Sequence, residues 1–130
     1  MSRGGGGRAA GAGEDLNDRA VDLEEAGRLD EAEQTYREAL RLAPGAVNAT
    51  YNLGLLLVRR GRGREAEALF RGALERHPRS AELHHGLGRV LGMAGDRGAS
   101  AREFEAALAL QPGFEQARRD LETIRGAAPR

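Results

Sequence analysis

The sequence predicts an all-α fold: three stacked helical hairpins closed by a short capping helix. The first observation behind this is a period. Pro44, Pro78 and Pro112 are each 34 residues apart. Gly27, Gly61 and Gly95 keep the same step, as do Ala39, Ala73 and Ala107, and Leu40, Leu74 and Leu108. A fixed period of this length marks tandem supersecondary units. The second observation is helical spacing inside the unit. Ala66, Leu69, Phe70, Ala73 and Leu74 fall at i, i+3, i+4, i+7 and i+8, the apolar stripe of an amphipathic helix.

In chain order, residues 1–12 are a Gly/Ala-rich segment with nothing to bury, and a disordered tail is expected there. The repeats follow at 13–46, 47–80 and 81–114. In each, a first helix ends at the glycine of the 27/61/95 column, and a second ends before the proline of the 44/78/112 column. Gly54 and Gly88 sit inside first helices, where glycine costs about 1 kcal/mol relative to alanine. Close approach of a neighbouring backbone is the expected reason, and Ala20 holds the matching place. Tyr36, Phe70 and Phe104, with Leu23, Leu57 and Leu91, are the expected core between hairpins. Residues 115–125 form a capping helix, with Phe114, Ala117, Leu121 and Ile124 on one face and Arg118, Arg119, Asp120 and Glu122 off it. Residues 126–130 are a second tail.

Composition excludes several kinds of chemistry. The chain has 130 residues and 20 basic residues, all arginine, against 20 acids, for zero net charge. No net attraction to nucleic acid or anionic membrane follows from that balance. There is no lysine for Schiff-base chemistry, and its absence points to a GC-rich bacterial source. With no cysteine there is no disulfide, thiol nucleophile or thiolate metal site. The longest apolar run, LGLLLV at 53–58, is far too short to span a membrane. The first residues lack the apolar core of a secretory signal, so a cytoplasmic location is expected. The three serines, Ser2, Ser80 and Ser100, lie in no nucleophile elbow, and no phosphate loop is present. No catalytic residue and no cofactor is expected. Of His77, His84 and His85, the adjacent pair point in different directions from one helix and cannot share an ion, so no metal site is expected either.

The repeated residues resemble the tetratricopeptide repeat family, whose signature is W-x2-L-G-x2-Y, then A-x3-F, then P. Repeat two reads Thr50, Leu53, Gly54 and Leu57, then Ala66 and Phe70, then Pro78. Repeat three reads His84, Leu87, Gly88 and Leu91, then Ser100 and Phe104, then Pro112. Repeat one is more degenerate: Leu16, Arg19, Ala20 and Leu23, then Ala32 and Tyr36, then Pro44. Arg19 replaces an inward leucine, as suits an end repeat with no neighbour to bury it. The resemblance covers residues 13–125. It implies a short right-handed α-solenoid and a non-enzymatic scaffold that binds another protein.

The family's peptide-carboxylate clamp, which holds the C-terminal tails of heat-shock chaperones, needs lysine, asparagine, asparagine, lysine and arginine. The matching places here hold Asn17, Val21, Asn52, Glu82 and Gly86. Only Asn52 agrees, so that clamp is not implied. The resemblance does imply that first helices line a concave groove. Its residues would be Asn17, Asp18, Val21, Glu24 and Glu25, then Asn48, Tyr51, Asn52, Leu55, Val58 and Arg59, then Glu82, His85, Arg89 and Met93. The expected partner is a peptide with a basic residue near Asp18, Glu24 or Glu25. Its apolar anchor would lie over Tyr51 and Leu55, and an acidic residue would face His85 or Arg89.

Charge distribution adds two rival readings. Repeat one holds ten acids and four arginines, and repeat two holds three acids and seven arginines. Such ends could attract each other and drive self-association, as could the apolar 114–124 face of the capping helix. The stretch RRGRGRE at 59–65 places Arg59, Arg60, Arg62 and Arg64 around one turn. It reads either as a solvated turn or as a weak nucleic-acid contact, without the aromatic platforms that single strands use.

Overall fold

The structure is a computed structural model that describes residues 5–126, with side chains from residue 11. Among the described residues it contains seven α-helices and no strand: α1 (Gly5–Glu25), α2 (Leu29–Leu42), α3 (Val47–Arg59), α4 (Gly63–Arg76), α5 (Ala81–Met93), α6 (Arg97–Leu110) and α7 (Glu115–Gly126). The starts of α2, α4 and α6 fall at 29, 63 and 97, and those of α3, α5 and α7 at 47, 81 and 115. The 34-residue period of the sequence is therefore the period of the helices. Within a repeat, α1 packs on α2, α3 on α4 and α5 on α6. Between repeats, α3 touches α1 and α5, and α7 closes the array against α5 and α6.

The repeated glycines and prolines shape the two kinds of connection. Gly27, Gly61 and Gly95 have φ of +81°, +80° and +92°, the left-handed conformation that ends a helix at little cost only for glycine. The amide after each reaches back across the turn: Arg28 to Leu23 O (2.9 Å), Arg62 to Leu57 O (2.8 Å) and Asp96 to Leu91 O (3.0 Å). At the other end, Ala43, His77 and Gln111 donate to the carbonyls of Ala39, Ala73 and Ala107. The prolines that follow push these residues out of helical geometry. Ser80 and Asp96 cap the next helices by accepting from the amides of Leu83 (3.2 Å) and Ala99 (3.1 Å).

The core is the one the stripes describe. Tyr36 and Phe70 are fully buried and Phe104 nearly so, with Leu53, Leu56, Leu57, Leu83 and Leu87 around them. The internal glycines have a different role from the one expected of them. A methyl group on Gly54 or Gly86 would overlap the Phe70 ring, and one on Gly88 would lie 2.6 Å from the Phe104 ring. The space is filled by an aromatic ring of an adjacent helix and not by a second backbone. Phe70 is thereby held between α3 and α5, with Tyr51 meeting it edge-on at 6.1 Å. Ser100, at the alanine place of the signature, donates from Oγ to Gly88 O at 2.6 Å, which satisfies a hydroxyl inside the core.

Two further expectations change. Residues 5–12 belong to α1 and not to a disordered tail, while residues 1–4 and 127–130 lie outside the described residues. Each residue added to a formed helix gains a backbone bond, a gain that here works against the poor helix preference of Gly5, Gly6, Gly7 and Gly11. The charge difference between the first two repeats is largely neutralised between them. Arg60 binds Asp30 (2.6 Å) and Glu33 (3.0 Å), and Arg62 binds Glu33 (2.7 Å) and Glu65 (2.9 Å). Arg37 joins Glu33 (3.0 Å) to Glu65 (2.7 Å), and Arg59 pairs with Glu24. Three arginines of RRGRGRE are thus bonded to the preceding repeat. Glu33 is almost fully buried. Its desolvation alone would raise its pKa, but hydrogen bonds from Arg62 and Arg37 outweigh that and hold it below the usual carboxylate value.

Candidate functional site

The first helices of the hairpins, α1, α3 and α5, stack side by side and are joined by α7. On such a stack, residues 34 apart occupy the same place on successive helices. Four such columns make one continuous surface: Glu14, Asn48, Glu82 and Gln116; Asn17, Tyr51 and His85; Asp18, Asn52, Gly86 and Asp120; Val21, Leu55 and Arg89. A cavity of about 290 Å³ opens on it, lined by Val47, Asn48, Tyr51, Asn52, Glu82, His85, Phe114 and Gln116. A neighbouring hollow of about 250 Å³, on the other side of Val47 and Asn48, is lined by Glu14, Asn17 and Ala46 among others.

A chain of hydrogen bonds sets the cavity floor. Arg89 Nη1 donates to Tyr51 Oη at 2.9 Å, and Tyr51 Oη lies 3.3 Å from His85 Nδ1. His85 Nε2 is 2.6 Å from Asp120 Oδ2. The consistent assignment has Tyr51 donating to Nδ1 and His85 donating its Nε2–H to Asp120. His85 is only 3% exposed. Burial pushes its pKa below the ordinary histidine value, outweighing the opposing pull of the Asp120 carboxylate, while Arg89 lowers it further. The ring is therefore neutral near pH 7 and acts as a wall. Tyr51 stacks on it (5.8 Å, 17° between planes), and Phe114 leans on it at 5.0 Å. Two amides are also tied back: Asn52 Nδ2 donates to Asn17 Oδ1 (3.1 Å), and Gln116 Nε2 to Asp120 Oδ1 (2.9 Å).

The structure disposes the expected groove residues unevenly. Asn48, Tyr51, Asn52, Glu82 and His85 come together at the cavity. Asn17 is largely buried beside it, while Val21, Leu55 and Val58 are half-buried. Asp18, Glu25 and Met93 are exposed. Glu24 and Arg59 bind each other, and Tyr36 Oη donates to Glu24 at 2.8 Å. Burial, with Glu25 nearby, pushes the Tyr36 phenol up to about 12. An acidic partner residue facing His85 loses its rationale, because that ring is neutral and already bonded to Asp120.

Sequence reasoning did not place Phe114, Gln116 or Asp120 at this surface, and set Asp120 off the packing face. Continuing the 34-residue columns into α7 finds them: Gln116 follows Glu82, and Asp120 follows Gly86. His84 is turned away, bonded to Glu103 (2.8 Å) and to Pro78 O (3.1 Å). Among the described residues no group of three or more His, Asp or Glu is placed to hold a metal ion. No described helix is long and apolar enough to cross a membrane.

Helical hairpins of 34 residues, turned at a left-handed glycine and linked through proline, define a repeat solenoid. The tetratricopeptide repeat sequence pattern matches residues 17–81 and again 51–114, and the chain belongs to the tetratricopeptide repeat family. No curated protein matches its sequence. Among solved structures, it is similar to the first such domain of Spaghetti (RPAP3) bound to the HSP90 peptide SRMEEVD. The TM-score there is 0.75 at 18% identity, over 91% of this chain and 94% of that one. The Arabidopsis OM64 domain superposes with a TM-score of 0.75 at 17% identity, over 92% and 99%. A Thermobaculum terrenum O-GlcNAc transferase gives 0.76 at 27% identity, over 95% of this chain but 23% of that one.

Proposed function

We propose that the protein is a non-enzymatic cytoplasmic adaptor that holds a segment of another protein against the face formed by α1, α3, α5 and α7. The observation that carries this is the cavity at Tyr51, His85 and Phe114, whose walls are fixed before any partner arrives. Side chains already held by Arg89 and Asp120 lose little freedom on binding, which favours affinity. The RPAP3 domain, bound to an HSP90 peptide, supports the use of this fold for peptides. The peptide chemistry here differs. The acidic SRMEEVD suits a cationic groove, whereas this chain offers Glu82 and Gly86 where the family's clamp has cations. Self-association and nucleic-acid binding lose their main support, because Arg59, Arg60 and Arg62 are bonded to Glu24, Asp30, Glu33 and Glu65.

The test is selection from a randomised peptide library on the immobilised chain, followed by calorimetry against Tyr51→Ala. That variant should weaken selected peptides by more than about 1 kcal/mol while helicity is kept, as expected for an aromatic anchor. Selected peptides that bind the variant as tightly as the parent would place the working surface elsewhere.

A further inference from the structure

We infer that the cavity at Tyr51, His85 and Phe114 receives an arginine side chain of the partner, with Glu82 as its counterion. This rests on the groove reading and specifies what the groove selects. A volume of about 290 Å³ lies at the lower limit of sites that enclose whole small ligands and suits a single long side chain.

The polarity of the walls sets the kind of side chain. Asn52 has its Nδ2 committed to Asn17, and Gln116 has its Nε2 committed to Asp120. Each amide keeps its carbonyl oxygen as an unused acceptor beside a second N–H. Asp120 is engaged through both oxygens, by His85 and by Gln116. Neutral His85 brings no positive charge. Glu82 is the one ionised group among the lining residues. It is exposed, and its hydrogen-bond contact is a long one of 3.5 Å from Ser80 Oγ. Arg89 starts two turns along α5 from Glu82, and its guanidinium is engaged by Tyr51, bonded to the hydroxyl at 2.9 Å and 6.0 Å from the ring centre. Arg76 and Arg79 line a separate depression across Val47. The cavity thus combines aromatic and aliphatic walls with accepting oxygens and one unpaired carboxylate.

Arginine fits that combination. Its stem lies along apolar surface while its head reaches polar groups. The planar guanidinium stacks on aromatic rings, carries five donors and no acceptor, and pairs with a carboxylate through two parallel bonds. Lysine shares the charge but neither the plane nor the fork. A glutamate side chain brings a second negative charge to Glu82. Leucine leaves the free carbonyls and Glu82 without donors.

The experiment is a titration of the full ¹⁵N-labelled chain with five capped peptides, Ac-Gly-Ala-X-Ala-Gly-NH2, where X is arginine, lysine, citrulline, leucine or glutamic acid. The arginine peptide should shift the side-chain amides of Asn48, Asn52 and Gln116. It should bind about tenfold tighter than the citrulline peptide, the effect of one charge-assisted pair at a partly exposed rim. Glu82→Gln should bring that ratio to about one, because it removes the charge and keeps the shape. The inference is overturned if the leucine or glutamic acid peptide binds as well as arginine. It is equally overturned if Glu82→Gln keeps the preference, or if the arginine peptide shifts none of the three amides. Library peptides that need Tyr51 but show no enriched arginine would remove this inference and leave the groove reading standing. Library peptides that ignore Tyr51 would remove the groove reading itself.

Discussion

Phe70→Ala is the perturbation whose consequence the structure fixes most tightly. The ring is fully buried and sits between Gly54 and Gly86, with Tyr51 at its edge. Truncating a buried phenylalanine costs about 3–5 kcal/mol, more where the site cannot collapse. Here two of the facing positions are glycines with no side chain to move inward, so the upper part of that range applies. A domain of this size is stable by about 5–15 kcal/mol. The melting temperature should therefore fall by roughly 10–25 °C, and the urea midpoint by about 2 M at an ordinary slope. Circular dichroism at 222 nm reads both. A second variant reverses sign. In the parent, Gly54→Ala drives a methyl into the ring and should cost about 1–3 kcal/mol, despite the helix preference for alanine. In the Phe70→Ala background the methyl enters vacated space and should stabilise by about 1 kcal/mol. If Gly54→Ala has the same sign in both backgrounds, the ring-in-glycine account is wrong.

Further outcomes follow from the buried polar groups. The folded pKa of His85 lies below its unfolded value of 6.5, so the unfolded chain takes up the proton first. Stability should be full above pH 6.5 and fall as the pH drops from there through the folded value. Urea midpoints from pH 7.5 to 5 check this, and His85→Phe should flatten the upper part of the curve. Glu33→Gln should destabilise by about 1–2 kcal/mol at low salt, between the values for exposed and buried pairs. Loss of that difference in 0.5 M salt would mean that Arg37, Arg60 and Arg62 are held only by screened surface attraction. Tyr51→Phe keeps the ring and deletes the hydroxyl between Arg89 and His85. It should cost about 1 kcal/mol in denaturation, and an unchanged midpoint would show that this hydrogen-bond chain does not hold the floor.

The backbone was legible in the sequence because its determinants recur. Gly61 must end α3 and Pro78 must end α4, whatever surrounds them, and the same demands repeat 34 residues away. The positions of Tyr36, Phe70 and Phe104 follow from helical spacing alone. The ring pockets at Gly54, Gly86 and Gly88 were less legible, because spacing shows that a glycine makes room without showing what fills it. The ion pairs were hidden for another reason. Net charge per repeat treats Glu33 and Arg62 as properties of separate units, but long side chains at a repeat boundary bind across it. A segregation of charge that suggested contacts between molecules is used largely between adjacent hairpins of one molecule.

The site lies where the period is kept in space and broken in chemistry. Asn17, Tyr51 and His85 share one column, yet no two are alike, and Asp18, Asn52, Gly86 and Asp120 make the next. Stacking brings each residue against its counterpart one repeat away, so differences between repeats become contacts. Tyr51 meets His85 at a separation of 34 residues, and Asn52 meets Asn17, and His85 meets Asp120, at 35. Identical residues in these columns would give a uniform ladder with no preferred register for a bound chain. The unlike residues confine the aromatic walls and the unpaired carboxylate to one end, over α3, α5 and α7. Under the proposed arginine reading, a partner is read in one register, the one that puts its cation beside Glu82. Exchanging Glu14 and Glu82 for glutamine separately tests this within a single column. Both lie at the same place on their helices and both are exposed, but only Glu82 borders the aromatic cavity. Glu82→Gln should weaken an arginine-bearing peptide about tenfold, and Glu14→Gln by no more than the small effect of a screened surface charge. Equal losses in the two would mean that the column attracts cations through its overall field, and that the cavity confers no register.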